Sequence, residues 1–173
     1  MVHAMTAGLH PIESAISIAR SYTAQGMYVF PLTVRVGVDG KKRLHFSGSW
    51  SQQSTIDQDK IAEWFGAGKS WETESVGIDC GKSGIVVIDT DMTDGIDGVQ
   101  EWRGLYGFAD QTFKVRTPGG GIHFYYQADP SHVVSIDSSG KLGRNVDVRG
   151  TGGFVIAAGC TDSRGIYTPN DAI

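Results

Sequence analysis

Cysteine is scarce in this chain. Cys80 and Cys160 are the only two in 173 residues and form no C-x-x-C pair, which excludes a disulfide-built fold and a cysteine-rich zinc site. Long apolar runs are missing too. None approaches the ~20 residues that a bilayer-spanning helix needs, and no basic-then-apolar leader is visible, so the expectation is a cytoplasmic protein with no membrane partner. Neither sign of charge dominates. Fifteen Lys and Arg against nineteen Asp and Glu leave a formal charge of −4, which argues against a nucleic-acid binder held by bulk charge alone but leaves room for a local basic groove. Common catalytic signatures are absent as well: no G-x-S-x-G elbow, no H-E-x-x-H, no complete P-loop. "GAGKS" at 66–70 and "CGKS" at 80–83 come near the last, but Glu63 and Val76 stand where its first glycine belongs.

What is present describes one domain over 1–173. Hydrophobic residues make up 40% and charged residues 20%, a globular composition with enough chain for a real core. The 24 glycines have no fixed period and gather near strands that carry polar residues, as tight turns or close ligand approach require. Periodicity predicts helices over 11–25, 54–66 and 95–107. Strands are predicted over 27–32, 75–80, 84–91, 111–118 and 121–127. Hairpins are predicted over 33–46, turning at Asp39-Gly40, and over 145–159, turning at Thr151-Gly152. The stretch 128–144 reads as irregular, with a short strand near Val133. This order specifies an α+β or mixed-sheet domain, not an even βαβ repeat.

The chemistry begins with "GIVVIDTD". Asp89 and Asp91 lie two apart on a strand, so they share a face about 6.6 Å apart along the chain. Two like charges that close repel, and a divalent cation between them relieves the repulsion; oxygen donors favour magnesium or manganese. The alternative is two carboxylates capping a strand end in water. "NVDVRG" places Asp147 and Arg149 on one face of another strand. Either the two form a structural ion pair, or Asp147 completes a carboxylate set for two metal ions while Arg149 receives phosphate oxygens. In "RTPGGGIHFYYQ", Gly120 and Gly121 suit a backbone turn against phosphates or sugar. His123 follows as a phosphate donor, or as a half-buried histidine satisfied by a neighbour. Lys114 and Arg116 share a face of the preceding strand, and with "KKR" at 41–43 they make a basic rim or a solvated edge. Lys42 and Arg43 are the places to look for template backbone contact. Trp50 and Tyr28 are candidates for base stacking or for the core.

Together these segments resemble the N-terminal catalytic domain of bifunctional DNA primase/polymerases, the prim-pol branch of the archaeo-eukaryotic primase superfamily common on plasmids and phages. The likeness opens with "AISIARSYTAQGMYVFPL", continues through "GKKRL" and "GSW", and is strongest in "GIVVIDTDMTDG", "TPGGGIHFYY" and "NVDVRGTGGFVIAAG", in the family's order. The resemblance implies a two-lobed fold, a small α/β unit packed on a mixed-sheet unit related to the RNA-recognition motif with the catalytic groove between them. It implies template-directed nucleotidyl transfer on single-stranded DNA, with Asp89, Asp91 and Asp147 as ligands of two Mg²⁺ or Mn²⁺ ions. His123 then contacts the incoming nucleoside triphosphate, and Lys141 and Arg149 are further nucleotide contacts. It also implies a longer replication protein, with a helicase domain or partner beyond Ile173. Leu44 and His45 depart from the proline usual near the basic loop, and Ala157-Ala158-Gly159 departs from alanine-proline-proline. Rival readings are a metal-dependent nuclease on the same carboxylates, a degenerate single-stranded nucleic-acid-binding module, and a sugar-nucleotide transferase using Asp89-x-Asp91.

Overall fold

In a computed structural model, residues 14–66, 75–107 and 111–169 are described. Ser14 caps α1, Ala15–Thr23, by accepting the Ser17 N–H at 3.4 Å, and the helix buries Ile18, Ala19 and Tyr22. Pro11 and the expected start of this helix lie outside the described residues. The predicted strand and first hairpin arm are one strand, β1, Val29–Val36, which turns back into β2, Lys42–His45. Pro31 survives inside β1 because it falls in a gap. On that flank Val29 bonds to Thr55 and pairing with β2 starts only at Thr33, so no ladder partner awaits the missing N–H.

The helix predicted over 54–66 is split. A single turn, α2 (Trp50–Gln53), precedes it, Thr55 bridges to β1, and α3 (Gln58–Phe65) begins only after Asp57, whose carboxylate accepts the Asp59 N–H at 2.8 Å. Next come β3, Ser75–Asp79, and β4, Ile85–Thr90. A two-rung hairpin, β5 (Met92–Thr93) and β6 (Ile96–Asp97), then delays α4 to Gly98–Tyr106, where Asp97 caps the Val99 and Gln100 N–H groups. The remaining strands are β7 (Phe113–Arg116), β8 (Ile122–Gln127), β9 (Val146–Arg149), β10 (Phe154–Ile156), β11 (Thr161–Asp162), β12 (Gly165–Ile166) and β13 (Thr168–Pro169).

The result is a mixed α/β domain built on two principal sheets, ordered β10-β3-β1-β2 and β13-β7-β8-β4-β9. Every ladder between these strands is antiparallel, which is the α+β alternative of the sequence reading and not the mixed-sheet one. The hairpin predicted over 145–159 does not form. β9 pairs with β4 in the five-stranded sheet and β10 with β3 in the four-stranded one. The turn at Thr151-Gly152 carries the chain from one sheet to the other. Gly150 permits the passage, since a Cβ there would lie 2.0 Å from the Val134 carbonyl oxygen. The chain makes a second passage at 80–84, and the two touch where the Cys80 N–H donates to Gly153 O at 3.1 Å. A third runs through 157–167. No strand forms near Val133; residues 135 and 137 instead make isolated bridges to Thr151 and Val148.

Burial divides the five-stranded sheet by face. Ile88, Ile122, Phe124, Val146 and Val148 pack on Val99 and Trp102 of α4. Val87, Val115 and Tyr125 face the other way and share a core with α1 and the four-stranded sheet. Side chains alternate across a strand, so Asp89, His123 and Asp147 leave the sheet on that second face, toward the gap between the sheets. Among the described residues no helix is long and apolar enough to cross a membrane.

Candidate functional site

Ladder register assembles the site. Asp89 stands in the central strand β4, directly opposite Asp147 on β9 and directly opposite His123 on β8. Three polar side chains from three separate segments therefore line up across one sheet face. His123 Nε2 lies 3.3 Å from Asp89 Oδ1. The Arg149 guanidinium bridges the two carboxylates, its Nη2 donating to Asp89 Oδ2 at 3.0 Å and to Asp147 Oδ2 at 2.7 Å, while its Nε donates to Asp89 Oδ2 at 3.1 Å. Burial alone would push the Asp89 carboxyl up. His123, Arg149 and Lys42 outweigh it and hold that carboxyl well below the usual range.

Asp91 sits one residue beyond β4 and is exposed. The protein packed around its carboxyl, and then the charge of Asp89, push it upward, in the opposite direction to Asp89. Its backbone is clasped on both sides: the Asp91 N–H donates to Asn145 O at 2.9 Å, and the Gly98 N–H donates to Asp91 O at 3.0 Å. Among the described residues, no three His, Cys, Asp or Glu side chains converge closely enough to hold a metal ion. The expected carboxylate trio is thus near one place without forming a cage, because Arg149 fills the space between two of its members. This is the ion pair that the sequence left open as an alternative.

A cleft of about 230 Å³ opens beside these groups. Asp89, His123 and Arg149 form one wall; Leu44, Trp50, Phe154 and Ile156 form an apolar wall opposite, with Lys42 also lining it. The Phe154 and Trp50 rings meet at an angle of 60° with centroids 4.9 Å apart. His123 is almost fully buried, and among the described residues its Nδ1 has no hydrogen-bond partner, nor do the buried hydroxyls of Tyr125 and Tyr167 whose rings lie about 6 Å away.

The other expected residues scatter. Lys42 lines the cleft and its charge acts on Asp89 and Asp91. Arg43 is engaged with Asp39 across the β1–β2 turn, at 2.8 and 3.2 Å. Lys114 and Arg116 pair with Phe124 and Ile122, which puts them on the α4 face of the sheet, away from His123; Lys114 is buried. Lys141 is held by Asp137 at 3.1 Å on the loop over β9. Gly121 has no room for any side chain, since a Cβ would lie 1.8 Å from Thr90 O. Gly120 takes a φ of 91° and gives its N–H to Thr117. The glycines thus serve a close approach of the β7–β8 turn to β4. Two neighbours had no sequence signal: Ser138, 3.5 Å from Arg149 Nη1, and Arg164, whose guanidinium lies beside Gly119 and is held by Asp162 at 2.7 Å.

A family model described as bifunctional DNA primase/polymerase, N-terminal (Prim-Pol), matches residues 19–172. No curated protein matches the chain.

Proposed function

The chain belongs to the Prim-Pol family, the N-terminal domain of bifunctional DNA primase/polymerases, and from that premise we propose that it catalyses template-directed nucleotidyl transfer on single-stranded DNA, adding a ribo- or deoxynucleoside triphosphate to a 3′-hydroxyl. One observation carries the reading: Asp147, Asp89 and His123 stand in direct register across three strands, and Asp89 and His123 line a cleft beside them.

Asp89, Asp91 and Asp147 would hold two Mg²⁺ or Mn²⁺ ions. Their oxygens fit hard cations. When bound, such a pair activates the attacking hydroxyl and neutralises the leaving pyrophosphate. Arg149 must leave the gap between Asp89 and Asp147 as the ions enter. A triphosphate then gives it a new partner, because a guanidinium pairs with phosphate oxygens in the same forked geometry it uses on carboxylates. His123 directs Nε2 into the same space and donates to a phosphate oxygen. Lys42, which lines the cleft, adds positive potential there, which speeds capture of an anionic substrate. The apolar wall from Trp50 to Phe154 keeps water from the opposite side of the nucleotide.

The topology supports a two-lobed reading of the fold. We read the order β7-β8-β4-β9, with α4 between β4 and β7, as a unit related to the RNA-recognition motif with the loop at 128–145 in place of its second helix, and the four-stranded sheet with α1 and α3 as the other lobe. A cytoplasmic setting and a helicase domain or partner beyond Ile173 belong to the same proposal.

The test is incorporation of labelled nucleotides on a single-stranded template, with and without primer, with each metal. Asp89→Ala should lose at least a hundredfold in rate, the order expected for removing central transition-state electrostatics, while keeping its circular dichroism. Near-wild-type incorporation would reject the assignment. The Arg149 bridge favours one second reading, a module that binds single strands without turnover. That module would bind template equally well with and without metal and incorporate nothing.

A further inference from the structure

Asn145 lies outside the polar face, two residues before Asp147, yet it touches every segment that sets where Asp91 stands. Its carbonyl oxygen accepts the Asp91 N–H at 2.9 Å. Its side-chain Nδ2 donates to Thr93 O at 2.9 Å and to Ile96 O at 3.1 Å, the two carbonyls that flank the β5–β6 turn just after Asp91. It does this from a φ of 57°, a left-handed conformation that asparagine and glycine tolerate and most residues resist. Gly98 closes the arrangement. It donates its N–H to Asp91 O at 3.0 Å, and a Cβ on it would lie 2.3 Å from Asn145 O and 2.8 Å from Asp91 O.

These contacts have a geometric consequence. Asp89 and Asp147 are fixed to each other by direct ladder pairing. Asp91 is past the end of its strand, so pairing with β8 and β9 does not hold it. Its position relative to the other two depends on what grips its backbone, and that grip comes from the residue leading into the Asp147 strand. The amide side chain in turn stops the β5–β6 hairpin from pulling Asp91 away. A single residue thereby ties the second carboxylate of one strand to the carboxylate of the next.

We propose that Asn145 is a positioning residue that fixes the spacing of Asp91 from the Asp89–Asp147 pair, and so sets how tightly the site holds a divalent cation. The inference rests on the reading of those three carboxylates as metal ligands. Groups that orient metal-binding side chains commonly change metal affinity by about 10–100-fold when removed, and the clasp acts on the ligand's own backbone.

The experiment is a titration of Mn²⁺ alone into the protein, following free Mn²⁺ by electron paramagnetic resonance, with thermal melts and nucleotide incorporation on the same samples. Asn145→Gly keeps the left-handed backbone and deletes the amide. It should weaken Mn²⁺ binding about tenfold and raise the metal concentration needed for half-maximal incorporation by a similar factor. Gly98→Ala, which presses on Asn145 O from the other side, should act in the same direction. If Asn145→Gly lowers only the melting temperature and leaves Mn²⁺ affinity at the wild-type value, the residue is structural and the inference fails. If wild type itself binds no Mn²⁺, or Asp89→Ala binds it as well as wild type does, the ligand assignment beneath it fails instead.

Discussion

Asp89 is bonded to the Arg149 guanidinium, and removing that group shows what the arrangement costs. Arg149→Met would leave Asp89 and Asp147 facing each other across the ladder without the guanidinium that bonds both. Breaking one side of a buried pair is costlier than the pair's net worth, but Arg149 is part-exposed, which lowers the figure. A loss of roughly 2 kcal/mol is expected, or about 4–8 °C in melting temperature for a chain of this size, and a melt unchanged from wild type would show the bridge to be idle. The thiols give a second expectation at this scale. Burial pushes the Cys160 thiol up to about 11 and raises Cys80 as well. Neither should react with a disulfide reagent at mildly alkaline pH until the protein unfolds, when both should titrate. At this scale the site was partly legible. Period-two spacing puts Asp89 with Asp91, and Asp147 with Arg149, from sequence alone. Which face Lys114 and Arg116 occupy was not legible, because it depends on which residue of β8 each one meets.

Helix starts are written locally, and that makes them testable. Asp97 caps α4 through the Val99 and Gln100 N–H groups at 2.9 and 3.1 Å, so Asp97→Ala should cost about 1 kcal/mol, read as roughly 2–4 °C in a thermal melt. An unchanged midpoint would mean that α4 is held by Trp102 and its packing alone. The same local signal explains one misplacement. Asp57 marks the start of α3, but Ile56 fits the helical apolar period, so the periodicity runs through the cap, and the bridge from Thr55 to Val29 then overrides helix at 54–56. The segment 145–159 failed for a different reason. Two strands around a Gly-rich turn match a hairpin locally. The actual pairings, β9 with β4 and β10 with β3, join residues about 60–80 apart in sequence, and no local pattern encodes partner choice over that distance.

Across the whole molecule, the main core draws on both sheets. Val87, Val115, Tyr125 and Tyr167 share it with Phe30, Leu32, Val76 and Ile78, and the chain passes between the sheets at 80–84, 150–153 and 157–167. Such a core should melt in one cooperative step. Val87→Ala, at a fully buried position, should cost about 1–3 kcal/mol and shift far-ultraviolet circular dichroism and tryptophan fluorescence to the same lower midpoint. Separated transitions would mean that the sheets unfold independently. The longer helices and strands were legible from periodicity, while α2, the short hairpins β5–β6 and β11–β12 and the strand β13 were not; the division into two sheets was not legible either, because it is written in the long-range pairings.

The Arg149 bridge also bears on how the domain tolerates ion shortage. A site made of acids alone is strained until its cations arrive, and chelators often unravel such proteins. Here a tethered positive group already sits among the acids, so stripping divalent ions with EDTA should halt any turnover without unfolding the domain, and returning the ions should restore activity without a refolding step.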